Sequence, residues 1–159
     1  MTVLSDKSII KLIADKQIVI EPFKEENLTP NGYDLTISEI EIPDEKKISK
    51  GLLCIPPNNR FAISTEEIIS CGENHCGQLW LRTSWARKGI ICSFGKIDSG
   101  FRGNLTLLGL NSSKDEVNIE VGNTFAQIVF EKLSTPADEL YSDRSGNYQN
   151  QKGITWSKE

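Results

Sequence analysis

Apolar positions in this chain follow two periods. Ser5-Asp6 followed by Lys7 to Lys16 predicts a capped N-terminal helix, because a Ser or Asp oxygen accepts from amides that a helix start leaves free. Ile9, Ile10, Leu12 and Ile13 supply its apolar face at helical spacing. Beyond Lys16 the period shortens. β-branched stretches recur at Gln17–Ile20, Tyr33–Ile37, Arg60–Ser64, Gln78–Leu81, Ile90–Phe94, Leu105–Leu108, Val117–Val121 and Ala126–Phe130. Gly, Pro, Asn and Asp separate them. Many short strands with regular turn signals predict an all-β barrel or sandwich. Thr65–Ile69 is expected to add a short turn of helix, and no internal repeat is visible.

Leu133 to Glu159 breaks this pattern. It holds Pro136, Gly146 and Gly153, several Ser, Asn and Gln, and few aliphatics. Such a composition predicts a mobile arm rather than part of a packed core. A chain of 159 residues is expected to form one domain, 1–159, with 134–159 as that arm. Hydrophobic residues at 38% and charged residues at 25% are ordinary for a globular protein. The net charge of −4 argues against a general nucleic-acid binder but leaves a small anionic substrate open. No apolar run approaches membrane-spanning length, and Met1 to Asp6 has no signal-peptide core. A cytoplasmic protein with reduced thiols at Cys54, Cys71, Cys76 and Cys92 is therefore expected.

Several chemistries fall away at this point. Cys71, His75 and Cys76 cluster, but their spacing is not a usual zinc pattern and no second ligand pair lies nearby. They are expected in a loop with small, semi-buried side chains. His75 is the one histidine, so Ser-His-Asp or Cys-His catalysis would have to use it, and its surroundings read as an exposed loop. Walker-type loops, dinucleotide glycine fingerprints and the zinc-deaminase signature are all missing.

Two segments remain. Arg82-Thr83-Ser84-Trp85-Ala86-Arg87-Lys88-Gly89 concentrates three cations and two hydroxyls. Guanidinium forks and hydroxyls suit phosphate oxygens, and a helix opening there would add backbone donors. A solvated charged face is the plainer reading. Gly95-Lys96-Ile97-Asp98-Ser99-Gly100-Phe101-Arg102-Gly103 combines three glycines with an acid. Glycines let a backbone approach a ligand closely, and Asp98 could activate a water if held in a pocket. A simple hairpin turn is the alternative. Asn31-Gly32-Tyr33-Asp34-Leu35 alone says little, since Asp34 could be an ordinary turn residue.

Taken together, these segments resemble the dCTP deaminase/dUTPase superfamily over nearly the whole chain. Leu4–Ile9 looks like its opening helix, and Glu21-Pro22-Phe23 with Leu28–Leu35 like its first motif. Arg82–Gly89 resembles the deaminase-type R-S-S-x-x-R-x-G motif. Ile97–Gly103 is close to the dUTPase I-D-x-x-Y-R-G form. Val121–Phe130 resembles the G-x-x-x-A-Q-L segment, and Gly146–Gly153 the K-Y-Q-x-Q-x-G tail. The resemblance implies a distorted β-barrel, assembled as a homotrimer with active sites between subunits. It implies a dUTP or dCTP substrate, carried as a Mg²⁺ complex held mainly by the triphosphate rather than by protein ligands.

Two departures sharpen this. Leu108 stands where the deaminases carry a glutamate that shuttles protons for attack on cytosine C4, and leucine can neither give nor take a proton. Asn147 replaces a lysine near the phosphates. The closest match is therefore a monofunctional dUTPase branch. By resemblance, Asp98 would orient and deprotonate the water attacking the α-phosphorus. Arg82, Thr83, Ser84, Arg87, Lys88 and Gln151 would hold phosphates. Phe94, Gly95, Ile97, Phe101, Thr106, Leu107 and Leu108 would line the deoxyuridine pocket, with Tyr141 and Gln149 closing over it. The alternatives are a metal-free or bifunctional dCTP deaminase with another proton shuttle, and a non-catalytic nucleotide-binding regulator, for which Asp98 would have no purpose.

Overall fold

The computed structural model describes residues 2–157. In chain order its elements are β1 (Thr2–Val3), α1 (Asp6–Ala14), β2 (Ile18–Glu21), a 3₁₀ turn (Glu25–Asn27), β3 (Leu28–Thr29), β4 (Gly32–Ile42), β5 (Lys46–Ile48), β6 (Leu52–Ile55), β7 (Arg60–Thr65) and β8 (Ile68–Cys71). There follow β9 (His75–Leu81), α2 (Thr83–Ala86), β10 (Ile90–Cys92), β11 (Lys96–Ile97), β12 (Arg102–Gly103), β13 (Thr106–Asn111), β14 (Val117–Glu120), β15 (Thr124–Lys132) and α3 (Tyr141–Arg144). The fold is mostly β, as the short-strand pattern predicts.

Helix α1 starts where its cap dictates. Ser5 Oγ accepts from the Ser8 amide at 3.4 Å, and Asp6 faces the positive end of the helix dipole. Ile9 is fully buried while Leu12 and Ile13 pack partly. Ile10, counted with the apolar face in the sequence, is turned to solvent at 50% exposure. The helix stops at Ala14 because Lys16 adopts a left-handed φ of 57°.

Ten strands curl into an antiparallel half-barrel along the path β10-β13-β7-β4-β15-β9-β11, with β1 on β15 and β3 and β5 on β4. A three-stranded sheet β12-β8-β2 and a β14-β6 ribbon complete it. Tyr33, Leu35, Phe61, Phe125, Ile128 and Phe130 are fully buried between the layers. Each contributes about 1.5–3 kcal/mol by leaving water. Phe125 sits at a register shift in β15, edge-on to Phe61 at 6.0 Å and tilted against Trp85 at 5.7 Å. Gly109 in β13 is required by close approach: a Cβ there would lie 2.4 Å from the Phe61 ring.

Two local expectations are corrected. Thr65–Ile69 forms no helical turn: β7 runs through Thr65, and β8 begins at Ile68 after a bend. Tertiary bonds win there. Glu67 turns inward and both its carboxylate oxygens accept from the Thr36 amide, at 2.9 and 3.2 Å. Asn104 Nδ2 meanwhile caps the carbonyls of Thr65, Glu66 and Glu67. His75 is no exposed loop residue either. It opens β9, is 3% exposed, and lies directly opposite Lys132 of β15. Cys71 and Cys76 are buried strand residues rather than semi-buried loop residues, and burial pushes both thiols up from their ordinary pKa. All four cysteines are free. No helix among the described residues is long and apolar enough to cross a membrane.

Candidate active site

Strand β13 alternates: Leu107, Gly109 and Asn111 point into the core, while Leu108 and Leu110 are exposed. Thr106 and Leu108 thereby face a cavity of about 340 Å³ between β9, β11, β13 and the C-terminal arm. Leu79 of β9 and Ile97 of β11 form apolar walls. Phe101 packs behind with its ring edge-on to Tyr141 at 5.5 Å and 72°. Gly95, Lys96 and Asp98 complete the inner rim. Asp98 is exposed just after β11, on the wall between this cavity and a neighbouring cleft lined by Cys76, Asp138 and Arg144.

The arm lies across this cavity and is held by its backbone rather than by burial. None of its described residues beyond Leu133 is buried. The Tyr141 amide donates to Ser99 O at 2.8 Å, and the Asn150 amide to Arg102 O at 2.7 Å. The Asn104 amide donates to Gln151 O at 3.1 Å. The Thr155 amide donates to Thr106 Oγ1 at 3.0 Å. Its end is latched to β4: the Ile154 amide donates to Glu39 Oε2 at 3.1 Å, and Trp156 Nε1 to Glu41 Oε1 at 2.8 Å. The glycines after Asp98 serve this docking. Gly100 has φ +83° and Leu140 lies where its Cβ would stand. Gly103 is met by the Gln151 backbone.

The cationic segment lies elsewhere on the chain. Arg82 precedes the one-turn helix α2, and its Nε pairs with Asp34 Oδ2 at 3.0 Å while a second guanidinium nitrogen bonds Thr124 Oγ1. Gln127 Nε2 holds the other Asp34 oxygen at 3.2 Å. Asp34 is thus a strand residue that aims a guanidinium, not a turn residue. Arg82, Thr83 and Ser84 line an open cleft of about 490 Å³ with Trp80, itself 60% exposed. Arg87 and Lys88 border a different cleft, beside Gly89 and Ser113, and the Lys88 ammonium sits 4.5 Å above the Trp85 ring.

The residues singled out in the sequence therefore divide. Asp98, Gly95, Ile97, Phe101, Thr106, Leu108, Tyr141 and Gln151 meet around one cavity. Leu107 is 2% exposed and faces the core, because strand alternation turns it away from its neighbours. Phe94 leans on the core outside the cavity lining. Gln149 is committed to the strands: its Oε1 accepts from the Arg102 amide and its Nε2 donates to Gly100 O, both at 3.0 Å. It fastens the arm instead of facing the cavity. Lys96 and Tyr148, from the Gly95–Gly103 segment and the tail motif, also line the cavity, as do Leu79, Thr155 and Trp156, which no sequence signal marks. Leu79 is an ordinary strand residue in sequence, and Thr155 and Trp156 lie beyond the final motif.

An exposed carboxylate at the rim of an apolar cavity of about 340 Å³, on a half-barrel crossed by a bonded arm, has the concave, mostly apolar form in which small molecules bind. Comparison places the chain more closely. It matches the dCTP deaminase-like family over residues 3–133 and belongs to that family. It is 40% identical to the dCTP deaminase of Pyrococcus horikoshii over 146 residues, 90% of this chain and 92% of that one. It is 32% identical over 160 residues to the probable deoxyuridine 5'-triphosphate nucleotidohydrolase of Sulfolobus islandicus rod-shaped virus 1, covering 99% of both. Among solved structures, the 2'-deoxycytidine 5'-triphosphate deaminase of Agrobacterium tumefaciens shares the fold at TM-score 0.70 and 16% identity, over 83% of this chain and 49% of that one. This chain thus spans about half the length of that enzyme. The EIAV dUTPase shares the fold at TM-score 0.54 and 22% identity, over 76% and 88%.

Proposed function

We propose that this protein is a dUTP diphosphatase, hydrolysing dUTP to dUMP and pyrophosphate at sites completed between the subunits of a homotrimer. The observation that carries the reading is the pairing of an exposed Asp98 with an apolar Leu108 in one cavity. The cavity offers a carboxylate for water, while the side chain at the deaminase proton-shuttle position, Leu108, can neither give nor take a proton. Uracil needs no proton shuttle to be bound, whereas deamination of cytosine does.

In this mechanism the Asp98 carboxylate orients a water toward the α-phosphorus and takes its proton as the P–O bond forms. Pyrophosphate departs from the opposite side. Leu79, Ile97, Phe101 and Leu108 sandwich the base and exclude water from it. Thr106 and the Gly95 backbone supply polar contacts at its edges. Arg82, Thr83 and Ser84 of a neighbouring subunit clamp the phosphates, Arg82 being held in place by Asp34. Arg87 and Lys88 add positive potential at the periphery. Tyr141 and Gln151 bring the arm over the nucleotide, so positioning and a dry, preorganised field carry most of the rate.

Mg²⁺ fits this site in one way. Asp98 is the one carboxylate among the described residues lining the cavity, so Mg²⁺ would be held mainly by triphosphate oxygens and waters, which suit its octahedral preference. Bound to the substrate, Mg²⁺ supplies neutralisation of phosphate charge.

A second reading, deamination of dCTP with or without hydrolysis, is favoured by the 40% identity to proteins named dCTP deaminase. One assay separates the two: dUTP and dCTP incubated separately with Mg²⁺, with nucleotides, pyrophosphate and ammonia resolved. The expected outcome is dUMP and pyrophosphate from dUTP, with dCTP untouched. Ammonia released from dCTP would overturn the reading of Leu108.

A further inference from the structure

Strand β11 ends one residue before Asp98, with Ile97 opposite Gly77 of β9. Alternation continues past the end of the ladder: Ile97 and Ser99 are buried, and Asp98 between them is exposed. Among the described residues no hydrogen bond or salt bridge holds the Asp98 carboxylate. Its direction therefore follows from how the backbone beside it is fixed.

Ser99 is fixed at both ends. Its Oγ donates to His75 O, at the start of β9, at 2.7 Å. Continuing the β11–β9 register by two residues brings Ser99 to His75, so a side-chain bond takes over where the backbone ladder stops. The Ser99 carbonyl accepts from the amide of Tyr141, the first residue of α3, at 2.8 Å. The next residue is held in the same way. The Gly100 amide donates to Cys71 O at 2.7 Å, and Gln149 Nε2 donates to Gly100 O at 3.0 Å. The turn after Asp98 is thus gripped from β8, from β9 and from the arm, and Ser99 is the residue that joins the last two.

We propose that Ser99 is a positioning residue for Asp98, through which docking of the arm sets the aim of the carboxylate. The inference rests on the reading of Asp98 as the group that orients the attacking water. The inward bond of Ser99 Oγ forces its neighbour outward, toward the cavity. The Tyr141 amide then fixes the Ser99–Gly100 peptide from the arm side, so covering the nucleotide and aiming the base are one event. Serine carries the smallest hydroxyl able to donate to a buried carbonyl, and alanine would leave His75 O without that donor. The Trp156 latch bonds Glu41 of β4 and is no part of this clamp.

The test is steady-state dUTP hydrolysis by full-length variants, paired with amide hydrogen exchange, which needs no substrate. Ser99→Ala is expected to lower kcat about 10- to 100-fold while KM changes less than about twofold, because the carboxylate is misaimed but the nucleotide contacts remain. Ser99→Thr keeps the hydroxyl and is expected to recover kcat to within about threefold of wild type. Ser38→Ala removes a hydroxyl bonded to the Ser64 and Thr65 carbonyls at 3.1 Å, and is expected to leave kcat unchanged. Exchange at the Tyr141 amide is expected to quicken at least about tenfold in Ser99→Ala and not in Ser38→Ala. Gln149→Ala combined with Ser99→Ala is expected to cost less than the product of the two single losses, since both act on one turn. Unchanged kcat in Ser99→Ala, a Ser99→Thr variant as slow as Ser99→Ala, unchanged Tyr141 exchange, or strictly multiplicative losses overturns the proposal. A wild-type protein that does not hydrolyse dUTP overturns the reading of Asp98 itself, and is told apart because it fails before any variant is compared.

Discussion

The Asp98 cavity and the Arg82 corner divide two kinds of chemistry within one chain. The cavity has apolar walls, one acid and the arm, and among the described residues the only cation on its rim is Lys96. The corner has a guanidinium braced by Asp34, hydroxyls at Thr83 and Ser84, and no part of the arm. No residue lines both, and adjacent residues of β9 separate them, with Leu79 facing the cavity and Trp80 the corner. A nucleoside triphosphate needs both environments, one for its base and one for its phosphates. A chain that builds each well and keeps them apart suits an active site completed by a second copy.

The sharpest way to break this comparison is to disable each region and then mix. Asp98→Asn is expected to lower dUTP turnover by about 10²–10⁴-fold while dUTP still binds, since only the general base is lost. Arg82→Ala is expected to lower kcat/KM by about 100-fold through lost phosphate positioning. The two variants are then unfolded together, or exchanged, into mixed oligomers. If acid and guanidinium come from different subunits, random mixing restores about a quarter of the wild-type sites. No recovery on mixing, with oligomer exchange verified, would mean that one chain holds a whole site.

The two regions were unequally legible in the sequence. Around Asp98 the glycines, the acid and the alternation of Thr106 to Leu108 are local signals, and the cavity forms among near neighbours. Leu107 faces the core because the strand period, which a segment motif ignores, turns every second side chain inward. The role of Asp34 was invisible, because its partners Arg82 and Gln127 lie far along the chain and meet it only through the β4-β15-β9 pairing. His75 was misplaced for a similar reason: its polar neighbours in sequence suggest a loop, while pairing with Lys132 fixes it in a strand. The arm is legible from composition and from the resemblance of Gly146–Gly153 to the family's tail. Its anchors are backbone amides, the Gln149 side chain and two β4 carboxylates, and their partners are set by the fold rather than by composition.

The arm offers the next test, since it belongs to the cavity and not to the corner. A chain ending at Leu140 is expected to lose about 10²-fold in dUTP turnover, because Tyr141 and Gln151 no longer exclude water from the reacting phosphate. Its thermal midpoint should fall by only a few degrees, since no described side chain of the removed segment is buried. Phosphate binding at the Arg82 corner, followed with pyrophosphate as the ligand, should be little changed. A truncated protein with unchanged turnover would show that the cavity works open, and the arm would then be only a structural strap.

The smallest effect sharpens the same point at one bond. Trp156 Nε1 donates to Glu41 Oε1 at 2.8 Å, and the Arg60 guanidinium lies 5.8 Å above the same ring. Trp156→Phe removes the donor and keeps an aromatic face for Arg60. A single hydrogen bond contributes about 1 kcal/mol net, or roughly fivefold in a closing equilibrium. Because the indole bonds Glu41 of β4 and not Asp98, its loss raises the fraction of time the arm is undocked while the general base stays in place. KM for dUTP is therefore expected to rise roughly two- to fivefold with kcat nearly constant, the pattern of lost uniform binding. A fall in kcat with KM unchanged would instead place the Trp156 end of the arm in the transition state, and the separation of latch from chemistry would fail.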